Sequence, residues 1–223
     1  MKYSTKFKAL VGPLLAYSLL VLYTALPMFD GGKSMIGAGL TSFSSGKLFS
    51  WHPFLMVLGF ITLAGNAAII KQTKGKENMV MHGNFMSGAI IFAFLGWYAI
   101  YDTKVFNKRL MPLTEKSLHG QLGIFVMVMY LVVGMGGSLA FHPDFGLASI
   151  KSSPYNSTFR LIHKWSGRFL TALAWYTCVL GARKSYAVYT KEPSSYLWLE
   201  APLLIIGLLV LLVENTFDKT TPP

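Results

Sequence analysis

The sequence predicts an all-α membrane protein with six transmembrane helices, and three observations predict it. Of the 223 residues, 53% are hydrophobic and only 13% are charged, about half the share usual in soluble proteins. Six apolar stretches, near 9–29, 50–70, 79–101, 117–140, 161–182 and 196–214, approach the roughly 20 residues a helix needs to cross a hydrocarbon core. Four of those stretches carry a histidine a few residues inside their start.

Each element follows from its local sequence. Lys6 and Lys8 precede the first apolar run, which ends at Ala25-Leu26-Pro27. The run is longer than a usual signal-peptide core and no A-x-A cleavage site follows it, so it reads as a retained anchor. The second stretch opens on Trp51-His52-Pro53, the third on Met81-His82-Gly83, the fourth on Leu118-His119-Gly120 and the fifth on Ile162-His163-Lys164. The first and sixth carry no histidine and are expected to flank a central four-helix bundle as lipid-facing helices. Connections are short, so residues 1–223 form a single domain with no room for a soluble flavin or nucleotide module. Cys178, the single cysteine, lies inside the fifth stretch, which excludes a disulfide framework and a C-x-x-C-H attachment site.

The formal net charge is +11. The cations are scattered over several loops on both faces, as Lys and Arg at membrane interfaces are, and form no stripe for nucleic acid. With the N-terminus cytoplasmic, that face collects slightly more of them, which favours this orientation weakly. The acceptor Asn156-Ser157-Thr158 then lies in a cytoplasmic loop and stays unglycosylated.

Consecutive membrane helices alternate in direction, so segment starts alternate between faces. His52 and His119 therefore fall near one face, and His82 and His163 near the other. Two facing imidazoles suit a six-coordinate haem iron that transfers electrons and leaves no open position. A zinc or copper site would need three or four ligands in one place, and this parity separates the four into two pairs. The central bundle, the second to fifth helices, is accordingly expected to hold two non-covalent haems b. Glycines such as Gly83, Gly120, Gly137 and Gly167 let helices approach and leave space for a flat macrocycle. Phe85, Phe92, Phe94 and Phe125 are candidates to fill the gap between the two sites. His142, followed by Pro143, reads as a cap or loop residue, with substrate contact as its alternative. Two other functions stay open: a His-dependent proton or metal-ion transporter, in which intramembrane imidazoles form a relay, and a haem b subunit of a quinone-linked complex. Asp102, Glu115 and Asp144 are expected at or outside helix ends, which leaves such a relay without buried carboxylates.

At these residues the chain resembles the cytochrome b561 family. LFSWHPFLM (48–56), MHGNF (81–85), SLHGQLG (117–123) and LIHKWSGRF (161–169) match the surroundings of that family's four haem ligands. The resemblance covers a haem-binding core of about residues 48–185. It implies that His52 and His119 hold the non-cytoplasmic haem, and His82 and His163 the cytoplasmic one. It also implies electron transfer from cytoplasmic ascorbate to monodehydroascorbate or a ferric chelate on the opposite face. Two departures stand out. Ala68-Ile69-Ile70-Lys71 replaces an Arg-containing motif, and Gly120-Gln121 replaces a Trp-containing one. The HGQ variant is similar to the branch called cytochrome b561 domain-containing protein 2, a transmembrane ascorbate-dependent ferric reductase.

Ascorbate is an anion near neutral pH, so cations should mark its mouth. Lys71, Lys74, Lys76, Lys151 and Arg160 flank the cytoplasmic end, and Lys104, Lys108 and Arg109 the other, where the acceptor is also anionic. Expected partners are the lipid bilayer, ascorbate, the acceptor and a second copy of the chain, in an endomembrane or the plasma membrane.

Overall fold

A computed structural model of the chain describes residues 48–71, 75–108, 110, 112, 117–144 and 146–189. The expected first and sixth helices, and the candidate site residues Lys74 and Arg109, lie outside the described residues. Among the described residues all regular structure is helical. A 3₁₀ turn, Leu48–Ser50, leads into α1, Trp51–Ile70. Helix α1 is α-helical over Trp51–Met56, π-helical over Val57–Leu63 and α-helical again over Ala64–Ile70. Then follow α2 (Lys76–Phe106), α3 (Leu118–Phe141), the short α4 (Ala148–Lys151) and α5 (Asn156–Tyr189).

Three of these helices, α1, α2 and α3, are long and apolar enough to cross a membrane. Helix α5 has the length, at 34 residues, but is charged near its start by Arg160, Lys164 and Arg168. Both α2 and α5 run beyond the apolar stretches expected for them. Backbone hydrogen bonding continues into the interface, where Glu77 in the first turn of α2 and Lys104 in its last complement the helix dipole. Asp102, expected at or outside a helix end, therefore sits within α2 and is half-buried.

Helix α1 is the interior element. Its apolar run is 56% buried, against 17% for α2 and 22% for α3, whose outward faces carry bare Ile91, Tyr98, Val128 and Val132. Small residues bring α1 and α2 together: a Cβ on Gly59 would stand 2.8 Å from the Ala89 carbonyl oxygen. Helix α3 packs along α5, and Tyr130 bonds Thr171 across that seam at 3.1 Å.

The middle of the bundle is closed by Phe60, Tyr130 and Trp175. Phe60 and Tyr130 meet edge to face with centroids 4.9 Å apart, and the Trp175 indole N–H donates to the Phe60 carbonyl at 2.8 Å. Of the aromatics expected there, Phe85 packs against the core, while Phe94 and Phe125 turn outward. Phe94 is 37% and Phe125 46% exposed, on outward faces of α2 and α3, while Phe85 and Phe92 are half-buried. Helical rotation decides this: Ala93 and Val126, next to the exposed pair, are the buried neighbours.

Asn156 opens α5. Its amide donates to the carbonyls of Ile150 (3.0 Å) and Lys151 (3.2 Å), and its oxygen accepts from Arg160 Nε at 2.6 Å. The glycosylation acceptor nitrogen is thus occupied in holding the α4–α5 corner.

Candidate functional site

The four segment-opening histidines use one anchoring device. His52 Nδ1 meets the Gly96 carbonyl on α2 at 3.0 Å, and His82 Nδ1 meets the Ala67 carbonyl on α1 at 2.9 Å. His119 Nδ1 meets the Thr177 carbonyl on α5 at 2.9 Å, and His163 bonds the Val133 carbonyl on α3. A carbonyl can only accept, so each bonded nitrogen carries the proton. Such a bond fixes the tautomer and the direction of the ring, as the hydrogen bonds behind metal-bound histidines do.

The bonds are exchanged within two antiparallel helix pairs, α1 with α2 and α3 with α5. The rings meet across those pairs. His52 faces His119 with ring centroids 6.1 Å apart and planes at 79°. A metal–nitrogen bond of about 2 Å and a ring radius of about 1 Å put two imidazoles sharing one metal roughly 6 Å apart. His82 and His163 line a common cavity of about 400 Å³ with Gly83, Gly134, Gly137 and Gly167. Among the described residues, no three His, Cys, Asp or Glu side chains converge as a metal site.

Two glycines are fitted to the rings. A Cβ on Gly137 would overlap the His163 ring, and one on Gly181 would stand 2.8 Å from His119 Cε1. From His119 to Gly137 and from His163 to Gly181 is 18 positions, five helical turns or about 27 Å. Each of α3 and α5 therefore presents a histidine near one end and room for the partner's histidine near the other.

Charge separates the two ends. Lys71, Arg160, Lys164 and Arg168 line the His82–His163 cavity, with His142 beside them and no carboxylate among the described lining residues. Arg160 lies over the Phe141 ring and Arg168 over the Trp165 ring, at 4.9 and 5.0 Å to the centroids. Of the five cations expected at this mouth, Lys71 and Arg160 line it. Lys76 is instead paired with Asp144 at 2.6 Å, and Lys151 donates to the Pro143 carbonyl at 3.2 Å. Lys76 holds the exposed Asp144 carboxyl below its usual range, first by hydrogen bonding and then by charge. Lys104 and Lys108 lie toward the His52–His119 end, Lys108 just past α2 with a φ of 51°. Lys164 and Arg168 were absent from the expected substrate contacts. Their spacing of four from Arg160 on one helix face was a legible signal. His142 caps α3, and its ring packs beside Gly83 and accepts the Asp144 backbone N–H at 3.2 Å; no local pattern reveals this.

The family model described as eukaryotic cytochrome b561 matches residues 51–188. A lysosomal membrane ascorbate-dependent ferrireductase of Danio rerio is 25% identical over 157 residues, 68% of this chain and 60% of that protein. A transmembrane ascorbate-dependent reductase of Homo sapiens is 28% identical over 174 residues, 76% of this chain and 66% of that protein. A plasma membrane ascorbate-dependent reductase of Xenopus laevis is 27% identical over 152 residues, 65% of this chain and 50% of that protein. The chain thus spans less than two thirds of the length of these relatives. The matched region holds all four anchored histidines and both helix pairs, and the chain belongs to the eukaryotic cytochrome b561 family.

Proposed function

We propose that this chain is a transmembrane oxidoreductase that passes electrons from cytoplasmic ascorbate to a ferric chelate or monodehydroascorbate on the opposite face. The observation that carries the reading is the set of four imidazoles, each hydrogen-bonded to a backbone carbonyl of a neighbouring helix and sorted into two pairs. Family membership supports haem b as the group they bind. His52 and His119 would hold one haem, and His82 and His163 the other. Bound there, the iron supplies a reversible one-electron couple with no open coordination position.

The residues present fit that group. The 6.1 Å separation of His52 and His119 suits one intervening metal, and glycines flatten the wall of the His82–His163 cavity. Lys71, Arg160, Lys164 and Arg168 would balance carboxylates, whether those of a haem edge or an approaching anion. Their field concentrates ascorbate at this mouth before any contact forms. Phe60, Tyr130 and Trp175 exclude water from the centre, so charge crosses there as electrons without a hydrated path for ions.

In full, the proposal is six membrane-crossing helices in a single domain spanning 1–223, a cytoplasmic N-terminus, and a place near the cytochrome b561 domain-containing protein 2 branch. The proposed membrane is an endomembrane or the plasma membrane, and a homodimer is part of the proposal. The test is pyridine haemochrome analysis with protein quantitation, followed by an optical spectrum before and after ascorbate. Two haems per chain reduced by ascorbate are expected. A chain without haem would overturn the reading and favour a His-dependent transporter.

A further inference from the structure

The four helices share a ruler, and one of them breaks it. On α2, α3 and α5 the histidine and the carbonyl that serves a partner's histidine are 14 positions apart: His82 to Gly96, His119 to Val133, and His163 to Thr177. On α1 the same distance, His52 to Ala67, is 15 positions. One extra residue in a regular α-helix turns everything beyond it by about 100°. Either the Ala67 carbonyl would face away from His82, or His52 would face away from His119.

Among the described residues, α1 is also the helix with a π-helical segment, and that segment, Val57–Leu63, lies between His52 and Ala67. A π turn absorbs one residue without changing the direction of the flanking α-helical parts. The bonding pattern shows where this happens. The Ala64 N–H is shared between the carbonyls of Gly59, five positions back, and Ile61, three positions back, and passes over Phe60, four positions back. The Phe60 carbonyl is taken up from another helix, by the Trp175 indole N–H at 2.8 Å. Trp175 is only 4% exposed, so without that bond the carbonyl would lose a partner in a dry interior.

We infer that the π-helical turn of α1 is a register-correcting element of the two histidine sites, and that Trp175 is the positioning residue that stabilises it. The turn restores the common ruler, so that α1 orients His52 at one end and offers the Ala67 carbonyl to His82 at the other. Trp175 lines the inner end of the His82–His163 cavity, and its indole N–H points away into α1. It acts by satisfying the carbonyl that the turn releases. This rests on the reading that the four histidines hold haem.

The test uses the full chain, purified with haem in detergent. Haem per chain, the low-spin ferric resonances, which report imidazole orientation, and the rate of haem release are measured. Deleting Thr62, inside the π segment, gives α1 the 14-position ruler of the other helices. Both haems and both resonances should survive. Deleting Ala93, between His82 and Gly96 on α2, removes a residue where there is no slack, and at least one haem should be lost. Trp175→Phe keeps the ring but removes the N–H, and should speed haem release about tenfold in the parent. In the Thr62-deleted chain the Phe60 carbonyl returns to an ordinary helical bond, so Trp175→Phe should change little there. Loss of haem on deleting Thr62, retention of both haems on deleting Ala93, or the same effect of Trp175→Phe in both backgrounds would each overturn the inference. A parent chain without haem would sink the underlying reading instead.

Discussion

At one end of the bundle His52 and His119 face each other across 6.1 Å with nearly perpendicular planes; at the other, His82 and His163 line a cavity of about 400 Å³ shared with four cations. The anchoring chemistry is the same at both ends, an imidazole nitrogen bonded to a carbonyl of the adjacent helix. What differs is access and charge. Helix pairing orients the imidazoles at both ends, whereas the side chains at the mouth set the charge around the His82–His163 cavity. The two can be perturbed separately.

The largest expected effect concerns the pairing itself. His52→Ala combined with His119→Ala should leave one intact haem, and so should His82→Ala with His163→Ala. His52→Ala with His82→Ala should damage both sites, because each iron would be left with one ligand. Haem content and ferric resonances measure this, and the reverse pattern would dissolve the comparison between the two ends.

Next come the glycines that accommodate the rings. Gly137→Ala should displace His163 and perturb only the cavity-end haem, whereas Gly181→Ala should displace His119 and perturb only the other. Overpacking of this kind costs about 1–3 kcal/mol. The added methyl would overlap the ring at Gly137 and come within 2.8 Å at Gly181, so the first should be the more damaging. Thermal loss of each Soret component resolves the two.

The charge difference predicts a kinetic effect. Replacing Lys71, Arg160 and Lys164 together with Gln should slow reduction by ascorbate roughly tenfold at low salt. Reduction by a neutral reductant should be little affected, and high salt should erase the difference between parent and variant, because exposed charges are screened over about 10 Å at 0.1 M. Lys104→Gln, at the opposite end, should leave the ascorbate rate unchanged. Stopped-flow measurements at two ionic strengths decide whether the mouth or some other surface steers the donor.

The smallest effect belongs to the Lys76–Asp144 pair, which ties the start of α2 to the turn after α3. Because Lys76 lowers the Asp144 pKa, the pair's contribution is present above the ordinary carboxylate pKa of about 4 and is lost as pH falls through the lower folded value. Asp144→Asn should therefore cause a slight, salt-sensitive destabilisation at neutral pH that vanishes in acid. Melting curves across pH would register it, and a large effect at neutral pH would mean that this strap shapes the cavity after all.

Much of the site was legible in the sequence because it follows from counting. Apolar length gave α1, α2 and α3, and the alternation of helix direction put His52 with His119 and His82 with His163. The Lys and Arg content near 160–168 was visible too, although only its spacing shows Lys164 and Arg168 joining Arg160 at the cavity. The pairing of Lys76 with Asp144 was not legible, because the turn after α3 brings Asp144 to it and no local pattern encodes that turn. Of the four candidate aromatics, Phe85 packs against the core whereas Phe94 and Phe125 turn outward, because rotation about the helix axis decides which side chains face inward.

By itself, then, the sequence determined an apolar helical chain with two histidine pairs at opposite ends. These properties depend on the length of apolar runs and on parity, and both are linear in the chain. Only the tertiary structure decided which carbonyl each histidine bonds, which glycine makes room for which ring, and that α1 absorbs an extra residue between His52 and Ala67. Those features depend on the angular phase of one helix against its neighbour. A single residue changes that phase by about 100° while leaving composition and apolar length almost untouched.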